Sequence, residues 1–149
     1  MSTEAAADTI TATLVPEDER MNELPSRGLH ALNLGSPIPL GLDMQVFSVM
    51  DRLSASYSGG VWDYWRLSNG GFFMSPRRED SMTIRVDGNF FEGEVSPQAA
   101  GIIATLFGLN WAMPRNQGKA LDTMVKHFDL LRDYAFTHEE ADAIFAALD

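Results

Sequence analysis

The chain contains no cysteine. That absence excludes disulfide frameworks, thiol nucleophiles, iron–sulfur clusters and cysteine zinc sites, and it suits a reducing compartment. Basic residues are also scarce, with 11 Lys and Arg against 21 Asp and Glu and a formal net charge of −10. A broad electropositive surface for phosphate backbones is therefore excluded, and direct nucleic-acid binding is not expected. The three histidines, His30, His127 and His138, have no close ligand spacing, so neither a metal nor another cofactor is expected. Long apolar runs are missing too. The longest, Ala99 to Leu109, is about half the roughly 20 residues that a bilayer span requires and reads as a buried core helix. Residues 1–10 hold Glu4 and Asp8, no basic residue and no apolar run, so no secretory signal is expected and the location is read as cytoplasmic. P-loop, nucleophile-elbow and His-Glu-x-x-His patterns are absent, and catalysis loses its usual supports. Glu92 and Glu94 share one strand face, as an acid–base pair would, but no third partner is legible beside them.

What is present is enough to fold. At 149 residues, with 45% hydrophobic and 21% charged residues, the chain matches one globular domain that buries roughly 70% of its unfolded surface. Residues 1–8 are small and polar and are expected to be disordered, leaving 9–149 as the folded unit. The acidity raises a second idea, imitation of DNA. A globule of this size is roughly 40 Å across, and duplex DNA of that length carries roughly 23 phosphate charges. The net charge of −10 is less than half of that, and arginines are interspersed among the acids.

The periodicity changes twice along the chain. Thr9 to Val15 is a candidate edge strand, and Pro16 followed by Glu17, Asp18 and Glu19 marks a short helix start. Residues 25–42, dense in proline and glycine, predict an irregular connection. Asp43 is placed as the cap of a helix running to about Ala55 with Val46, Phe47, Met50, Leu53 and Tyr57 on one stripe. Four short runs follow: Trp62 to Leu67, Gly71 to Pro76, Met82 to Asp87 and Phe90 to Val95. Asn69-Gly70 and Asp87-Gly88 predict tight hairpin turns, and Pro76 to Ser81 a solvated loop. The helical period then returns, with Ser96 and Pro97 opening a buried helix through about Trp111. A second helix spans Gly118 to Phe136, with Leu121, Met124, Val125, Phe128, Leu131 and Ala135 inward. Thr137 and Glu140 form a capping box for a last helix ending near Leu148. The fold class is α+β: a central antiparallel meander of about four strands flanked by helices, three of them C-terminal.

Five blocks of this sequence resemble one family. They are Arg52-Leu53-Ser54 with Tyr57-Ser58-Gly59-Gly60-Val61-Trp62; Leu67-Ser68-Asn69-Gly70-Gly71-Phe72; Val86-Asp87-Gly88-Asn89; Phe91-Glu92-Gly93-Glu94; and Ala99-Ala100-Gly101-Ile102 through Thr105-Leu106. Joined, they are similar to the ArdB/KlcA antirestriction family of plasmids and other mobile elements. The resemblance implies a non-catalytic α+β protein that protects incoming DNA by lowering host type I restriction. Its implied partner is a host defence protein or an associated host factor. An acidic inhibitor or DNA mimic of another defence system, such as a CRISPR effector, is the alternative. Several motif residues alternate away from the expected core, which makes Arg85, Asp87, Glu92 and Glu94 candidate contacts, joined by Trp62 or Tyr64 if either faces outward. Glu139 and Asp142, on the acidic C-terminal surface, are the rival location.

Overall fold

The computed structural model describes residues 9–16 and 41–149. The expected disorder of 1–8, the helix begun by Pro16 and nearly all of the irregular connection lie outside them. The described elements are β1 (Ala12–Leu14), α1 (Leu42–Leu53), β2 (Trp62–Leu67), β3 (Phe72–Pro76), β4 (Met82–Val86), β5 (Phe91–Val95), α2 (Pro97–Ala112), α3 (Gly118–Thr137) and α4 (Ala141–Leu148). A short 3₁₀ turn, Met113–Arg115, joins α2 to α3. All strand pairings among the described residues are antiparallel, so the mixed α+β class stands.

The sheet is not one meander. It divides into a three-stranded sheet, β1-β2-β3, and a separate ribbon, β4-β5. The reason is visible at Met74. Tyr64 is its partner on β2, while the Met74 amide donates to Thr105 Oγ1 at 3.2 Å and the Thr105 hydroxyl donates to the Met74 carbonyl at 3.4 Å. Helix α2 thus satisfies the β3 edge that a fourth strand would have paired. Its approach depends on Gly101, one turn before Thr105. A Cβ at 101 would lie 2.2 Å from the Met74 carbonyl oxygen and 2.5 Å from Ser75 Cα, so any side chain would push the helix off the sheet.

Helix α2 forms where expected. Ser96 Oγ accepts from the Ala99 amide at 3.1 Å, and Pro97 occupies the first turn. The helix has no charged residue and contacts every other described helix as well as β3, β4 and β5. Around it Val46, Met50, Phe72, Met82, Ile84, Leu106, Met124, Leu131 and Ile144 are buried.

Several local expectations are corrected. Asp43 does not cap α1; Gly41 does, with φ of 90°, and Asp43 is buried in the first turn, where the helix dipole favours a carboxylate. On α3, Val125 is exposed, while Thr123 and His127 take buried positions that hydrophobicity alone did not indicate. Thr123 Oγ1 satisfies itself on the Lys119 carbonyl at 2.8 Å. In the β2–β3 hairpin Gly70 has φ of 95°, as a tight turn requires, but in the β4–β5 hairpin the positive φ falls on Phe90 instead of Gly88. The last ribbon pair is Val86 with Phe91, so the loop is Asp87 to Phe90 and longer than an Asp-Gly turn.

Gly101→Ala is expected to destabilise the protein by at least about 1–3 kcal/mol through overpacking, whereas Gly88→Ala, whose Cβ would meet no atom within 4 Å, should melt close to the parent. Thermal unfolding of the two variants checks both. His127 supplies a second test. Neither ring nitrogen has a hydrogen-bond partner among the described residues. Burial first, and the Lys126 charge second, push its pKa down to about 4 from 6.5. The unfolded chain therefore binds a proton that the folded chain refuses. This contribution leaves stability intact above pH 6.5, and as pH falls from 6.5 to about 4 it removes up to about 3 kcal/mol. Denaturant unfolding across that window should show a flatter pH dependence for His127→Leu.

Candidate interaction surface

The ribbon sorts its residues by the two-residue period of a strand. Met82, Ile84 and Val86 pair with Val95, Gly93 and Phe91 on the inner face, and Thr83 and Arg85 pair with Glu94 and Glu92 on the outer face. Arg85, Asp87, Glu92 and Glu94 are all exposed. The Arg85 Nε–Asp87 Oδ1 distance is 3.4 Å, an exposed pairing that contributes little to stability. The structure thus brings these four predicted residues together on one solvent face. A cleft of about 200 Å³ opens at its turn end, lined by Arg85, Val86, Asp87, Phe90, Phe91 and Glu92.

Trp62 and Tyr64 do not join them. Each is 4% exposed, so the condition that one faces outward is not met. Trp62 Nε1 donates to the Tyr57 hydroxyl at 2.9 Å, and its ring packs against Phe47 with centroids 5.0 Å apart. The Tyr64 hydroxyl donates to Asp43 Oδ2 at 3.4 Å. Trp65, on the opposite face, stacks on Phe73 at 5.6 Å and donates to Ser75 Oγ at 3.0 Å. The face that holds Trp62 and Tyr64 is covered, whereas Asp63 and Trp65 on the other face are half-buried, so alternation separates the two faces of β2 without saying which one the core takes.

Glu139 and Asp142 are exposed at the α3–α4 junction. Between them Glu140 does not close the expected capping box. Its carboxylate reaches Ser96, accepting from the backbone amide at 2.9 Å and from the Ser96 hydroxyl. The Thr137 hydroxyl donates instead to the Tyr134 carbonyl at 2.8 Å. His138 fills the gap: its Nδ1 accepts from the Glu140 amide at 3.0 Å, and its Nε2 lies 2.8 Å from Gln98 Oε1. With Nδ1 accepting, the ring proton sits on Nε2 and donates to Gln98.

Sequence reasoning missed Phe90. It is 95% exposed and has φ of 61°. A signal was available: adjacent Phe90 and Phe91 cannot both face the core of a ribbon that has one wet side. Among the described residues no group of three or more His, Cys, Asp or Glu is placed to hold a metal, and no helix is long and apolar enough to cross a membrane.

Taken together these features define an acidic α+β protein with a divided antiparallel sheet and a solvent-facing hairpin. The sequence model of the antirestriction protein family matches residues 55–149, from the end of α1 through α4. The chain is 42% identical over 142 residues to an antirestriction protein KlcA of Escherichia coli, covering 94% of each chain. A second Escherichia coli KlcA is 38% identical over 141 residues, covering 94% of this chain and 95% of the relative. Among solved structures, that of the KlcA and ArdB proteins superposes with a TM-score of 0.75 at 39% identity, covering 94% of this chain and 95% of its own. Those proteins show a novel fold and antirestriction activity against type I DNA restriction systems in vivo but not in vitro. The chain belongs to the antirestriction protein family.

Glu140→Ala should lower stability by about 1–3 kcal/mol, because it strips hydrogen bonds from the half-buried N-cap of α2. Glu139→Ala should stay within about 0.5 kcal/mol of the parent. Chemical denaturation of both variants distinguishes the structural carboxylate from its exposed neighbour.

Proposed function

We propose that this protein lowers host type I restriction in the cell by docking a protein partner on the outer face of β4-β5, with no catalytic step of its own. One observation carries the reading: Arg85, Asp87, Glu92 and Glu94 lie on one exposed face within the family-matched segment, and packing requires none of them. The in vivo but not in vitro activity of the KlcA and ArdB proteins supports a target that is effective only with other cell components, either a restriction complex in its cellular state or an associated host factor. Charge mimicry of DNA fits this face less well, because Arg85 stands directly opposite Glu92 and breaks any phosphate-like row.

The test is plating of unmodified phage on type I-restricting cells at matched protein levels. Parent protein should raise plating efficiency. Glu92→Lys with Glu94→Lys should lose most of that protection while folding normally, since exposed substitutions usually change stability by under about 0.5 kcal/mol. Glu139→Lys with Asp142→Lys should retain it. The reverse pattern would move the docking site to the α3–α4 junction.

A further inference from the structure

We infer that Phe90 is the apolar anchor of the β4-β5 surface, inserting into a hydrophobic pocket with a basic rim on a protein partner. This inference rests on the docking reading above and names the chemistry of the partner. Its first support is exposure. At 95% exposed, the ring has essentially no packing role inside the chain, and a lone Phe in water is the kind of group that interfaces bury.

Backbone conformation gives an independent support. With φ of 61°, Phe90 occupies the left-handed region that glycine or asparagine enters cheaply and a bulky residue does not. A residue that strains the turn and packs on nothing is not selected by folding. Its neighbour holds the turn in place. Asn89 Oδ1 accepts from the Phe91 amide at 3.0 Å, while Asn89 Nδ2 donates to the Ala147 carbonyl at 2.8 Å and the Ala146 carbonyl at 3.3 Å at the end of α4. The ring therefore projects from a turn tied to a helix, and such preorganisation reduces the ordering cost of binding.

The surroundings select the partner. Asp87 and Glu92 outnumber Arg85 in the cleft beside the ring, and Glu94 continues the acidic face along β5. A pocket rimmed by Lys or Arg complements that pattern, whereas anionic lipid headgroups and nucleic-acid phosphates would be repelled by it.

Phe90→Gly and Phe90→Asn test the inference, since both relieve the backbone while deleting the ring, and Phe90→Trp retains an aromatic anchor. Both deletions should melt within about 4 °C of the parent. In the phage assay they should lose protection at least about tenfold, and the Trp variant should keep most of it. Parent protein mixed with phosphatidylglycerol vesicles should not co-float. If the parent protects and both deletions protect equally, the anchor is refuted while the docking reading survives. A large fall in melting temperature for both would make Phe90 structural, and vesicle binding lost on deletion would replace the protein pocket by a membrane. A parent that gives no protection refutes the proposed function and the anchor with it.

Discussion

The fold turns on the contact between Thr105 and Met74. A single hydroxyl engages both the amide and the carbonyl on the free edge of β3, where the backbone would otherwise present unpaired groups in a buried place. The contact exists because Gly101 lets α2 approach to a distance that no side chain permits. Once the helix holds that edge, β4 cannot pair with β3 as a meander would require. The next hairpin must leave the sheet and find other support.

That support comes from α4 and α2, and side-chain to backbone bonds secure it. Two turn asparagines act alike. Asn69 accepts from the Gly71 amide and donates to the Leu130 carbonyl on α3, and Asn89 does the same between Phe91 and the last turn of α4. Glu140 completes the set by fastening the α3–α4 junction to the start of α2. A two-stranded ribbon is marginal alone. Docked through its inner residues and its turn, it leaves its outer face free of packing duty, and there the charged residues gather.

Much of this was legible in the sequence. The strand runs, the Ser96-Pro97 helix start and the outward alternation of Arg85, Glu92 and Glu94 follow from local period and capping chemistry, and the structure has them. What escaped was long-range. The division of the sheet depends on one hydrogen-bonding group 31 positions from its partner. Alternation separates Trp62 from Trp65 without saying that the core takes Trp62 and leaves Trp65 half-buried. Glu140 has the spacing of a local cap, yet a serine brought close by the tertiary fold draws its carboxylate away. His127 breaks an apolar stripe, so hydrophobicity does not mark it as inward although it is buried. An Asp-Gly pair commonly makes a two-residue turn and so places Phe90 in the strand, whereas the register with Phe91 lengthens the loop to include it.

Native-state amide hydrogen exchange tests most directly whether α2 closes the β3 edge and thereby releases the ribbon from the sheet. The Met74 amide should exchange only through global unfolding, at the same free energy as the central amides of α2. Exchange of Met74 at the rate of an open strand edge, while α2 remains protected, would contradict that claim.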